Sequence, residues 1–186
     1  MSHNKSLYLI ILASALFSLI VVTGLNWNFT YAQSEKFKAK LKGDNEVPPV
    51  SSTATGKAKF KVKDDYITSK INITGITDVT AAHIHEGNKG ENGQPIVDLL
   101  KTSNQTKTQD GVIIQGKIAA SELEGSMAGK ALTDLQSAMA TEGTYVNIHT
   151  SDHTDGEIRG QIMVSGNATQ TSSMNATSTT TETEEE

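Results

Sequence analysis

Ala82-His83-Ile84-His85 sets two imidazoles two residues apart, and Tyr145-Val146-Asn147-Ile148-His149 delivers a third at the end of another short run. Alternate side chains of an extended strand leave opposite faces, so His83 and His85 share one face while Ile84 points to the core. By the same rule Val146 and Ile148 face inward, and Tyr145, Asn147 and His149 leave by the outer face. If these two strands are neighbours, His83, His85 and His149 offer three neutral nitrogen donors, a set suited to Cu(II) or Zn(II). His153, four residues beyond His149, is placed to close a fourth position. A lone His-x-His is a weak pattern, and histidines on a solvated strand face are often without a role. The metal reading gains weight because four of the chain's five histidines gather in this region, His3 alone lying near the N-terminus. Asp152, Asp155 and Glu157 are candidates for binding Ca²⁺ or orienting a histidine, although Asp155-Gly156 is read first as a turn.

Other chemistry is narrowed by composition. The 186-residue chain contains no cysteine, which excludes a disulfide staple, a thiolate metal cage and a cysteine nucleophile. A net charge of −5 argues against a nucleic-acid binder, whose affinity rests on lysine and arginine neutralising phosphates. There is no Gly-x-Ser-x-Gly, no P-loop and no Gly-x-Gly-x-x-Gly opening a helix, so a binding or structural role is expected ahead of an enzymatic one. Asp44-Asn45-Glu46-Val47-Pro48-Pro49 reads as a constrained loop and not as chemistry. The turn-rich Gly87–Gly93 segment follows the histidine strand and is placed to wall the site.

The elements that position these residues show a period of two. Phe37, Ala39 and Leu41 alternate with Lys36, Lys38, Lys40 and Lys42, and Gly56, Ala58, Phe60 and Val62 alternate with Lys57, Lys59, Lys61 and Lys63. Further runs at Ile67–Gly75, Val79–His85, Ile96–Leu100, Val112–Ile118, Thr144–His149 and Glu157–Val164 bring the expectation to about eight short strands, the pattern of a Greek-key-like β-sandwich. Ser121–Ala140 breaks the pattern, with Leu123, Met127, Leu132, Leu135 and Met139 at mixed spacings nearer to a helix. A short helical insertion over Ala131–Ala140 is expected, stopping at Gly143. The eight alternating lysines make half of the 16 basic residues, and pairing of their two strands would create a positive face. The plainer explanation is a solvated face with lysines guarding a sheet edge; the alternative is adhesion to an extracellular protein or an acidic surface polymer.

The ends are expected to lie outside this domain. Leu7–Leu25 is almost wholly apolar, carries no charge and follows Lys5, so residues 1–32 read as a signal peptide or an N-terminal membrane anchor. Thr30-Tyr31-Ala32 supplies a cleavage-like sequence and tilts the choice to a cleaved signal. Membrane contact is expected only through this segment. Residues 33–164 form the β domain, and 165–186, rich in Ser, Thr, Asn and Glu, form a tail unable to build a core.

Three motifs add a resemblance. Phe37-Lys38-Ala39-Lys40-Leu41-Lys42-Gly43-Asp44-Asn45-Glu46-Val47-Pro48-Pro49-Val50, then Ala82-His83-Ile84-His85-Glu86-Gly87, then Tyr145–His149 with Gly156-Glu157-Ile158-Arg159-Gly160-Gln161-Ile162 resemble the CHRD domain, the repeat named after chordin, over Phe37–Val164. The resemblance implies a secreted or cell-surface module with an immunoglobulin-like or dismutase-like sandwich. A more distant likeness is to copper-zinc superoxide dismutase. It implies His83, His85 and His149 as copper ligands and Arg159 as an anion-guiding arginine. No histidine lies between His85 and His149, so the bridging ligand and the zinc subsite of that family have no counterpart here. At most, the likeness implies a mononuclear copper or zinc site with weak redox activity.

Overall fold

In a computed structural model, residues 35–165 are described; the apolar Leu7–Leu25 segment and the tail beyond Ser165 lie outside them. The strands are β1 (Lys36–Lys42), β2 (Thr55–Val62), β3 (Ile67–Thr74), β4 (Val79–Glu86), β5 (Pro95–Asp98), β6 (Ser103–Lys107), β7 (Gly111–Ile118), β8 (Thr144–Thr150), β9 (Ile158–Gln161) and β10 (Met163–Val164). One helix, α1 (Leu132–Ala140), precedes β8. No helix among the described residues is long and apolar enough to cross a membrane.

The all-β expectation holds, and the layers come from one continuous antiparallel sheet ordered β5-β4-β8-β9-β1-β2-β3-β7-β6, with β10 set against β1. Its two arms meet at β9 and β1 through a single paired position, Arg159 opposite Lys42. The sheet curls about that narrow joint, and apolar residues of both arms, among them Phe37, Ile71, Ile84, Ile114 and Ile148, belong to one buried cluster. Alternation is strict where lysine alternates with apolar residues. Phe37, Ala39 and Leu41 are buried and the intervening lysines exposed, and β2 repeats this against β1 in full register.

Two strands exceed the expected set. β6 reads Ser-Asn-Gln-Thr-Lys and buries none of its residues, so it carries no hydrophobic period; it exists because it pairs along β7 as the last strand of the sheet. The expected Glu157–Val164 run divides into β9 and β10, with buried Ile162 between them. The helix lies where the spacing predicts it, with Leu135 and Met139 buried one turn apart. Its first turn is capped by the Asp134 carboxylate accepting the Ala131 N–H at 2.9 Å. The stop differs by one residue from the expected Gly143. Glu142 takes the left-handed conformation, φ 57°, and the Gly143 N–H closes on the Ala138 carbonyl at 2.9 Å.

The sheet order also corrects the reading of the lysines as edge guards. β1 and β2 are interior strands, whereas the ends of the sheet are β5 and β6.

Candidate metal centre

β4 and β8 are neighbours, with His83 opposite Asn147, His85 opposite Tyr145 and His149 opposite Ala81. His149 is therefore the diagonal neighbour of His83, a separation that aromatic side chains can span. The ring centroids lie 5.1 Å apart for His83 and His149, 5.5 Å for His83 and His85, and 6.0 Å for His85 and His149. One nitrogen from each ring falls within 4.8 Å of the other two.

The expectation that these side chains leave by a solvated outer face is corrected. All seven residues of β8 are buried, including Tyr145, Asn147 and His149, and His83 and His85 are half-buried. Alternation correctly separates Val146 and Ile148 from Tyr145, Asn147 and His149, but the second face is covered, by the Gly87–Gly93 loop at His85 and Tyr145 and by the Thr154–Gly156 turn at Asn147 and His149. Four hydrogen bonds tie that loop down: His85 Nδ1 lies 2.9 Å from the Gly93 carbonyl, the Gly93 N–H donates to Tyr145 Oη at 3.1 Å, and the Arg159 guanidinium donates to Asn92 Oδ1 at 2.9 Å and to the Glu91 carbonyl at 2.8 Å. Only glycine fits at 93, because a Cβ there would stand 1.6 Å from the Glu86 carbonyl oxygen.

The cover decides the protonation of the rings. Burial holds His83 below the usual histidine range, with His149 adding to the effect and Asp98 and Glu124 opposing it. Burial likewise pushes His85 down to about 4, against the opposing hydrogen bond to Gly93. Both rings are thus neutral near pH 7. A carbonyl only accepts, so the neutral His85 ring carries its proton on Nδ1 and leaves Nε2 as a bare lone pair. That Nε2 is buried and has no hydrogen-bond partner. His149 Nδ1 lies 2.9 Å from the Thr154 carbonyl, an acceptor that fixes the proton on Nδ1, and its Nε2 faces His83 Nδ1 at 3.2 Å. Two nitrogens on one tetrahedral zinc or copper ion stand about 3.3–3.4 Å apart. The His83–His149 pair already has that spacing, and drawing His85 in from within 4.8 Å takes a shift of up to about 1.5 Å.

The three histidines stand beside a stacked column. The Tyr145 ring lies 5.0 Å from the His85 ring at 15° to it, and Arg159 caps Tyr145 with its guanidinium carbon 3.7 Å from the ring centroid. Here Arg159 departs from the anion-guiding role that the dismutase likeness implies. It is 2% exposed, and the loop and the Tyr145 ring engage its guanidinium, so it positions the wall of the site instead of facing solvent. His153 is also placed elsewhere: it lies in the turn after β8, its backbone bonded to Thr150, outside the converging group. Of the nearby acids, Glu157 is committed elsewhere, accepting from the Ser52 and Thr150 hydroxyls at 2.7 and 2.8 Å. The groups that orient His85 and His149 are the Gly93 and Thr154 carbonyls. Backbone atoms have no letter in a sequence, although the glycines of the 87–93 segment pointed to the right loop.

Glu46 is more than part of a constrained loop. It is 6% exposed, and burial raises its carboxyl to about 7, with Arg159 and an Asn147 hydrogen bond pulling the other way. Glu46 Oε1 is a buried acceptor without a donor, so the charge of the carboxylate is poorly compensated there and the neutral acid is favoured. Gly156, at φ 130°, lies over Asn147, and a Cβ there would come within 2.5 Å of the amide nitrogen.

Comparison with curated proteins and with solved structures returns no match. The CHRD domain family, by contrast, matches residues 37–162, a span that takes in β1, the histidine strands, the loop that covers them and Arg159. With more than half of the chain inside that match, the protein belongs to the CHRD domain family.

Proposed function

We propose that this chain is an exported CHRD-type binding module that holds one copper or zinc ion on His83, His85 and His149. The carrying observation is the convergence of three imidazole nitrogens within 4.8 Å, one of them a buried lone pair with no other partner. Three imidazoles without a carboxylate make a donor set for copper or zinc, and backbone carbonyls set the donor nitrogens of His85 and His149. Export rests on the uncharged Leu7–Leu25 stretch and the sequence after it. We read binding in place of superoxide turnover because the arginine that would attract an anion is sealed behind Tyr145.

The test is a metal titration of the full-length chain with Cu(II) and with Zn(II), read by competition with a chromophoric chelator and by the nitrogen hyperfine pattern of bound Cu(II). About one equivalent is expected, with His149→Ala binding none while keeping its β-sheet circular dichroism. Less than about a tenth of an equivalent bound by the folded wild-type chain overturns the proposal.

A further inference from the structure

The lysines of β1 and β2 stand in direct opposition across the ladder: Lys36 faces Lys61, Lys38 faces Lys59 and Lys40 faces Lys57. Lys59 also faces Lys70 on β3. Like charges placed directly opposite destabilise a sheet, and repulsion from Lys63, with a smaller share from Lys36, holds the Lys61 ammonium below the usual lysine range. Neutral residues would serve a solvated face at no such cost, and edge protection is ruled out by the interior position of both strands. Among the described residues the ion pairs are those of Lys101 with Asp98 and Glu124, so none of the facing lysines is matched to an acid there.

The rows continue across the arm. Lys38, Lys59 and Lys70 lead to Gln115 and Asn104, and Lys36 and Lys61 lead to Thr68 and Lys117. All of these residues line one open groove of ≈ 1020 Å³. Its floor carries lysines rooted about 4.8 Å apart across strands and about 6.7 Å apart along them, interleaved with amides and a hydroxyl. Aromatic residues make up only 5% of the chain, so recognition here rests on charge and hydrogen bonding and not on ring stacking.

The geometry points to this groove as a binding site for a linear acidic polysaccharide, a polymer with a carboxylate at each sugar to meet the lysine rows and hydroxyls to meet Gln115, Asn104 and Thr68. The open groove mixes its lysines with amides and a hydroxyl, donors and acceptors that a sugar chain engages along its length. The site is independent of the histidines, which lie on the other arm of the sheet.

The experiment measures binding of the full-length chain to polygalacturonate by titration calorimetry, with neutral dextran and with phosphatidylserine vesicles as separate arms. Binding to polygalacturonate and not to dextran is expected, weakening as salt screens the charges, whereas vesicle retention through the apolar Leu7–Leu25 segment is expected to be independent of salt and of the groove lysines. Replacing Lys38, Lys59 and Lys70 together with Gln is expected to weaken it about tenfold, and replacing Lys89, Lys107 and Lys130, which lie outside the groove, by less than about twofold. Lys59→Glu alone, which exchanges two repelling pairs for attracting ones and so protects the fold, is expected to show the same direction of loss. Equal losses from both triple variants, retention on vesicles without polygalacturonate binding, or no binding of the wild-type chain to polygalacturonate at low salt overturns the proposal.

Discussion

The two arms of the sheet follow the same rule of alternation and end with opposite second faces. On β1 and β2 the residues between the core positions are lysines open to water. On β8 the residues alternating with Val146 and Ile148 are Tyr145, Asn147 and His149, buried beneath the Gly87–Gly93 loop, the Thr154–Gly156 turn and Glu46. The difference does not lie in the strands, which are extended and paired in both arms. It lies in whether another segment covers the face. Cover holds His83 and His85 neutral and carbonyls fix the donor nitrogens of His85 and His149; the lack of cover leaves facing lysines mutually repelling.

Removing the cover breaks the comparison most severely. Gly93→Ala forces the loop off the Glu86 carbonyl, 1.6 Å from the new Cβ, and is expected to cost roughly 4 kcal/mol in a denaturant melt, the scale of a buried backbone clash. Where the variant is folded, metal affinity is expected to fall about 10–100-fold, because His85 loses the carbonyl that orients it. An unchanged melt and unchanged metal titration would show that the loop does not set the site.

Next in size is the effect of Glu46, whose carboxyl is raised from 4.5 to about 7. Between those values the folded state keeps a proton that the unfolded chain has released, so its contribution to stability is full below about pH 4.5 and is lost as pH rises through about 7. Glu46→Gln removes this dependence. It is expected to match the wild type near pH 5 and to exceed it by about 2–3 kcal/mol at pH 8. Parallel stability curves for the two chains from pH 5 to 8 would contradict a buried, proton-holding Glu46.

The smallest expected effect belongs to the open face. Lys59→Thr removes repulsion with Lys38 and Lys70 and places a β-branched residue in an interior strand, for an expected gain of about 0.5–1 kcal/mol that shrinks at high salt. The metal titration should not change, since β2 is remote in the sheet order from β4 and β8. A loss of stability would mean that the lysine lattice carries contacts of its own.

Much of this architecture was legible beforehand. Alternating lysine and apolar residues placed β1 and β2, Leu135 and Met139 placed the helix, and the two-residue spacing of His83 and His85 put them on one face. β6 was not legible because a polar end strand has no buried face to leave a period, and the helix stop was misassigned to Gly143 because Glu142 is an uncommon occupant of the left-handed position. His153 and Arg159 carry the right side chains for a metal or an anion, and a turn and a stacked tyrosine commit them elsewhere.

By itself the sequence determined which residues share a strand face, because the pleat has a period of two whatever surrounds it. The tertiary structure alone decided which strands are neighbours, which face is covered and where the carbonyls of Gly93 and Thr154 fall. Those depend on the path of loops distant in the chain, and through burial and hydrogen bonding they set whether a histidine is a charge on the surface or a lone pair held ready for an ion.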